Sequence, residues 1–236
     1  MHQVVPDVYL LEGLRVSNVY LLTGNDHWTL IDSGLRGDAN TITSQLRDAG
    51  FPVAKLRAIV LTHAHGDHAG GALELAQRSG ASVCAHQAEV PYVERKQMLP
   101  AASAWQRGLN WVSDRLVFRG APCPVARALT EGDAIDALGG LRVIHTPGHT
   151  PGSICLFQPE RHILFCGDLF FNRHPLTGQK GLRLAIPLVS FDLARVRQSA
   201  RKVAALPVET LCPGHGKPIV HAARDAMASL LTAKLD

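Results

Sequence analysis

The chain has 236 residues, 46% hydrophobic and 19% charged, a balance that excludes a disordered or low-complexity chain. Lys and Arg number 24 against 20 Asp and Glu, and the resulting +4 is spread along the sequence, so no basic stripe points to nucleic acid. The length fits one domain over residues 1–236, and no apolar run approaches the roughly 18 residues of a membrane span.

Met1 to Asp7 carry no basic region followed by an apolar stretch, which predicts a cytoplasmic protein. Apolar patterning then predicts strands near 3–11, 16–23 and 27–32 and a helix near 38–49. Leu56 to Leu61 read as an interior strand of a mixed sheet. The segment Thr62-His63-Ala64-His65-Gly66-Asp67-His68 follows directly, and helical spacing from Asp67 to Ser79 stops at Gly80. A short strand is expected at 82–85. Residues 87–119 change character: Pro91 and Pro100 punctuate helical spacing at Tyr92, Val93, Met98, Trp105, Leu109, Trp111 and Val112, which predicts a helical insert. Strands resume near 125–129, 141–145, 153–158, 161–166 and 208–212, with helices near 191–205 and 219–234.

The 62–68 segment concentrates chemistry. His63 and His65 lie two apart in extended backbone, so both side chains point the same way and reach one ion. Asp67 and His68 fall at a helix start, where a carboxylate is favoured, and point to a second position. Burying such groups at a strand end is costly unless something coordinates them. The helical His-Glu-x-x-His arrangement is absent. Further candidates end later apolar runs beside glycines: His149 in Thr146-Pro147-Gly148-His149, Asp168 in Phe165-Cys166-Gly167-Asp168, and His215 in Cys212-Pro213-Gly214-His215.

His63, His65, Asp67, His68, His149, Asp168 and His215 exceed what one zinc takes and divide naturally between two ions. His63, His65 and His149 would hold the first, Asp67, His68 and His215 the second, with Asp168 bridging them at roughly 3.5–4 Å. Zn²⁺ is the first choice, and Mn²⁺, Fe²⁺ or Co²⁺ suit the same donors. Alone, Asp168 would be a turn residue and His215 a loop histidine; their occurrence with the 63–68 cluster reverses that reading. His2, His27, His86, His145, His162, His174 and His221 are read as surface or core histidines. Cys84, Cys123, Cys155, Cys166 and Cys212 form no Cys-x-x-Cys pair and read as buried free thiols of a reducing compartment.

The order His-x-His-x-Asp-His, later His, bridging Asp and final His resembles the metallo-β-lactamase-fold superfamily of metal-dependent hydrolases, over nearly the whole chain. The resemblance implies an α/β fold, an αββα sandwich of two mixed β-sheets with outer helices and metals at one edge between the sheets. It also implies that Asp32, in Leu30-Ile31-Asp32-Ser33-Gly34, supports the metal ligands from behind. The resemblance is to a branch like glyoxalase II or the lactonases, with the exact subfamily open, and the chain departs from each known branch. Asp168 stands where a classical β-lactamase usually carries cysteine or another residue. Only 21 residues follow His215, where a glyoxalase II would add a helical domain for glutathione. A flavodiiron reductase would carry an acid at His65, the nuclease branches bring added domains or basic arms, and the tyrosine of quorum-type lactonases is not evident in Phe170-Phe171-Asn172.

The expected activity is dinuclear-metal hydrolysis of a carboxylic ester, lactone or thioester. A metal-bound hydroxide would be the nucleophile, and Asp67 would orient it and carry a proton to the leaving group. The expected substrate is a small molecule resting against Phe170, Phe171 and Trp105. Phosphodiester hydrolysis and mononuclear iron persulfide dioxygenation are the alternatives, a metal-stabilised binding domain the weakest reading. Oligomeric state stays open, a homodimer included.

Overall fold

A computed structural model describes residues 1–24, 26–116, 120–174 and 177–235. The first sheet has seven strands adjacent in chain order: β1 His2–Val5, β2 Val8–Leu10, β3 Tyr20–Thr23, β4 Trp28–Ile31, β5 Leu56–Val60, β6 Ser82–His86 and β7 Arg127–Leu129. Pairing is antiparallel through β4 and parallel from β4 to β7. Next come β8 Ala134–Ile135, β9 Leu141–His145, β10 Ile154–Gln158, β11 Ile163–Gly167, the paired strands β12 Phe170–Arg173 and β13 Lys180–Leu184, and β14 Thr210–Pro213. The second sheet runs β14-β11-β10-β9-β8, with only β14 parallel to its neighbour. The helices are α1 Ala39–Asp48, α2 Gly66–Ala69, α3 Ala72–Ser79, α4 Val90–Val93, α5 Ala104–Leu116, α6 Leu193–Ala204 and α7 Ala223–Leu235.

Side-chain alternation sorts these elements into four layers. Leu21, Leu30 and Ile59 face Ile42 and Leu46 of α1 and Leu75 of α3. Their strand neighbours Leu22, Ile31 and Val60 face the other way, onto Val143, Leu156 and Phe165 of the second sheet. Phe157 and Leu164 turn outward again, onto Val196, Ala200 and Val203 of α6 and Met227 of α7. The result is the αββα sandwich, with both sheets mixed. Because each sheet is covered on both faces, its central strands read as unbroken apolar runs, and each buried leucine or isoleucine contributes about 2 kcal/mol.

Several local expectations are corrected. The strand at 3–11 is a hairpin: Val5 pairs with Val8, and Asp7 between them has φ 61°, a turn for which Pro6 presets the backbone. The strand at 16–23 begins only at Tyr20, because the Asn18 amide donates to the Gly214 carbonyl at 2.7 Å and leaves the sheet. The helix at 67–79 breaks at Gly70-Gly71 into α2 and α3. A Cβ on Gly70 would lie 2.2 Å from the Gly66 carbonyl oxygen and 2.6 Å from the Arg36 nitrogen, and one on Gly71 would lie 2.4 Å from the Ser33 carbonyl oxygen. Gly70-Gly71 thus lets the 33–36 loop lie directly on the helix that carries Asp67 and His68. The pair β12 and β13 and the short β8 were not anticipated. Within the range read as an insert the structure has α4 and α5; residues 117–119 and the Leu109 side chain lie outside the described residues.

Gly70→Ala is therefore expected to destabilise the protein by roughly 1–3 kcal/mol or more, read as a lower thermal midpoint. Gly108→Ala, in α5 with nothing within 4 Å of an added Cβ, is expected to raise the midpoint slightly. Equal midpoints for both variants would contradict the packing described.

Candidate metal centre

Ligands and their supports gather where strands of both sheets end, the edge at which open sheets of this kind bind ligands. Ile31, Val60, His145, Gly167 and Pro213 close β4, β5, β9, β11 and β14, and Asp32, His63, His149, Asp168 and His215 follow within four residues of those ends. Hydrogen bonds join the two edges. Ile154 N donates to the Thr62 carbonyl at 3.0 Å, and the Asn18 side-chain amide donates to Pro213 O at 2.8 Å.

All seven expected ligands converge, in two groups: His63, His65, His149 and Asp168, then Asp67, His68 and His215. In the first, His63 Nε2 lies 3.1 Å from His65 Nδ1 and 3.2 Å from His149 Nε2, and the last two are 2.8 Å apart. In the second, His68 Nε2 and His215 Nε2 are 3.4 Å apart, and Asp67 Oδ2 lies 3.6 and 3.4 Å from them. Asp168 stands between: Oδ2 is 3.8 Å from His63 Nε2, 3.3 Å from His149 Nε2 and 3.3 Å from His215 Nε2, while Oδ1 is 3.2 Å from His68 Nε2. Gly214 permits that approach, since a Cβ there would meet Asp168 Oδ1 at 2.3 Å and His68 Cε1 at 2.7 Å.

The far side of four rings fixes which nitrogen faces inward. Asp32 Oδ2 accepts from His68 Nδ1 at 2.8 Å. Asp32 also accepts from the Thr62 hydroxyl at 2.8 Å, and Thr62 Oγ1 lies 3.0 Å from His63 Nδ1, so one carboxylate orients two histidines. Ser190 Oγ lies 3.4 Å from His149 Nδ1, and the Val16 carbonyl accepts from His215 Nδ1 at 3.2 Å. With each outer nitrogen protonated, the inner Nε2 presents a lone pair. Asp32 itself adopts φ 63°, a left-handed conformation that aspartate tolerates better than most residues. Thr62, Ser190 and the Val16 carbonyl were not singled out in the sequence; Thr62's place directly before His63 was the available signal.

Charge follows the same division. Burial, with repulsion from His68 and His149, lowers His63 well below the ordinary histidine value, and burial with His149 lowers His65 to about 3. Burial would also lower His68 and His215, but Asp168 outweighs it and holds His68 well up and His215 at about 9. Burial raises the carboxyls, yet His68 and His215 hold Asp67 at about 2 and Asp168 well below its usual range.

These residues fit divalent cations. Asp168 Oδ1 is buried without a hydrogen-bond partner, and three imidazole lone pairs aimed at one another from about 3 Å are mutually repulsive unless a cation lies among them. No other group of three or more such donors occurs among the described residues. The expected apolar wall is corrected in part. Phe170 and Phe171 are both 0% exposed, because adjacent residues of β12 face opposite sides and both sides are covered. Phe170 packs in the outer core, and Phe171 backs the rings of His149 and His215, with centroids 6.2 and 5.2 Å away. Trp105, on α5, is 69% exposed.

The sequence profile described as the metallo-beta-lactamase superfamily matches residues 13–215. The chain belongs to that superfamily. Two relatives give scale within it. A protein named probable metallo-hydrolase YflN, from Bacillus subtilis, is 29% identical over 218 residues, 87% of this chain and 83% of its own. The acyl-coenzyme A thioesterase MBLAC2 of Gallus gallus is 33% identical over 176 residues, 66% of this chain but 58% of its own. A metallo-beta-lactamase family protein from Thermus thermophilus has the same fold, with a TM-score of 0.71 at 22% identity over 99% of this chain and 81% of that one. Like its metallo-beta-lactamase superfamily relatives, the chain is a metal-dependent hydrolase. Among the described residues no helix is long and apolar enough to cross a membrane.

The ring supports can be tested in two ways. His215, held at about 9 against an ordinary 6.5, stabilises metal-stripped protein fully below pH 6.5, and that contribution is lost as pH rises through about 9. His68 acts in the same direction. The thermal midpoint of chelated protein should accordingly fall by roughly 5–10 °C between about pH 7 and 9.5; a flat profile would refute the pairing. Asp32→Asn should weaken divalent-metal binding by roughly 10–100-fold in competition with a chromophoric chelator, and wild-type affinity would show that Asp32 does not support the ligands.

Proposed function

We propose that the chain hydrolyses a carboxylic ester, lactone or thioester of a small molecule at a dinuclear centre, zinc being the first choice of metal. The observation that carries this reading is the Asp168 carboxylate, whose two oxygens reach histidines of both groups. When bound, two divalent ions supply an activated water and positive charge for the developing oxyanion, so no serine or cysteine nucleophile is needed.

The chain's own residues hold and orient. His63, His65 and His149 form one cradle, Asp67, His68 and His215 the other, and Asp168 sets their separation. Asp67 keeps 13% of its side-chain surface exposed and is anchored through its carbonyl by the Ser17 hydroxyl. Its carboxylate would accept a hydrogen bond from the attacking water, take that water's proton as the oxygen bonds to the acyl carbon, and give it to the leaving group as the acyl bond breaks.

Two further observations support the acyl class. The chain is similar to an acyl-coenzyme A thioesterase over 66% of its length. Exposed Trp105 sits on a helix whose neighbouring Gln106 donates to the carbonyls of Leu188 and Ser190 at 3.1 and 3.0 Å, and Ser190 also supports His149. An apolar acyl chain lying along α5 would meet that tryptophan. Five buried cysteines, none in a disulfide, support a reducing compartment, the cytoplasm.

Metal-loaded protein is expected to contain about two zinc ions per chain and to show its highest kcat/KM on an ester, lactone or acyl thioester rather than on a phosphodiester, without oxygen uptake. Asp67→Asn should lower kcat by about 10²-fold or more while keeping the wild-type circular dichroism. Preference for a phosphodiester, or oxygen consumption with a persulfide, would overturn the acyl reading.

A further inference from the structure

Glu89 is a carboxylate that the chemistry above does not use, and it is 0% exposed. Burying a carboxylate is expensive unless its oxygens are satisfied, and here both are spent on backbone of the metal-binding loops. Oε2 accepts from Ala64 N at 2.7 Å, and Oε1 accepts from Gly152 N at 2.6 Å. The Thr150 side chain is a third hydrogen-bond partner. Ala64 lies between the ligands His63 and His65, and Thr150 directly follows the ligand His149. One side chain therefore grips the loop after β5 in the first sheet and the loop between β9 and β10 in the second.

The grip is rigid at its base. Glu89 N donates to the His86 carbonyl at 2.8 Å, and the Glu89 carbonyl takes Tyr92 N at 2.9 Å and Val93 N at 3.0 Å at the start of α4. Contact with the second loop depends on glycine: a Cβ on Gly152 would lie 2.8 Å from Glu89 Cγ, 2.9 Å from Glu89 N and 2.9 Å from His86 Nδ1. Two of the first cradle's three histidines come from one sheet edge and the third from the other, so their spacing is no steadier than the join between those edges.

We infer that Glu89 is the positioning residue that sets the distance between the loop bearing His63 and His65 and the loop bearing His149, and so tunes metal binding in the three-histidine cradle selectively. This rests on the dinuclear reading of the site. A glutamine is the same size, but its NH₂ must face one of the two backbone N–H donors, so one of the two ties is lost. An aspartate keeps the carboxyl group but is one methylene shorter and cannot span both loops.

The test is a titration of metal-stripped wild-type, Glu89→Gln and Glu89→Asp protein with cobalt(II), followed by visible absorption. Amide hydrogen exchange at Ala64 and Gly152 is measured alongside. Wild type should bind cobalt in two steps with both amides protected. Both variants should bind one equivalent roughly 10–100-fold more weakly with an altered absorption band, keep the other equivalent near wild type, and expose at least one of the two amides. Unchanged cobalt affinity and spectrum in Glu89→Gln, even with a lowered thermal midpoint, would overturn the inference and leave the dinuclear site standing. Wild type that binds no cobalt would remove the site and the inference together. Should the Glu89 variants fail to fold, Gly152→Ala tests the same tie by displacing the carboxylate, with the same selective weakening expected. Rapid exchange of the Ala64 and Gly152 amides in wild type would refute the tie directly.

Discussion

A buried, ionised Asp168 stands within 4 Å of four imidazoles, and this contact governs how the rest of the molecule is built. A carboxylate that has lost its water must be compensated by fixed positive charge or by donors. Here the neighbours are rings whose outer nitrogens are already committed to Asp32 through Thr62 and directly, to Ser190 and to the Val16 carbonyl. Two sheets must bring their edges together for the rings to converge, and the sandwich does so with a shared apolar layer and a short set of edge-to-edge hydrogen bonds.

Much of this was legible in the sequence because it is local. The spacing His63, His65, Asp67, His68 after an aliphatic strand reports which side chains share a face, and glycine-flanked loops after later apolar runs single out His149, Asp168 and His215. The expected division of the seven candidate ligands into two groups followed from how many donors one ion takes, and the side chains gather as His63, His65, His149 and Asp168 on one side and Asp67, His68 and His215 on the other. The four-layer architecture was legible from the family resemblance more than from the strands themselves.

What escaped the sequence depends on partners distant along it. The break at Gly70-Gly71 is caused by the 33–36 backbone lying against it, so the helical periodicity through residues 67–79 gave no warning. Phe170 and Phe171 read as a substrate wall because adjacent aromatics after a metal ligand invite that role. Strand alternation sends them to opposite sides, both covered by elements that no local pattern places there. Glu89 lies in a stretch without any motif, and its meaning comes from Ala64 and Gly152, which belong to loops of different sheets.

Asp32, His63, His149, Asp168 and His215 follow strand ends, whereas α5 is tied down by Gln106 onto the 187–190 turn and leaves Trp105 exposed. Rigid placement of the donor side chains suits the binding of cations. The most direct measurement is anomalous diffraction at the zinc edge from crystals of metal-loaded protein. The account predicts two peaks roughly 3.5–4 Å apart with Asp168 between them, one nearest His63, His65 and His149 and the other nearest Asp67, His68 and His215. A single peak, or peaks not contacted by Asp168, would contradict it.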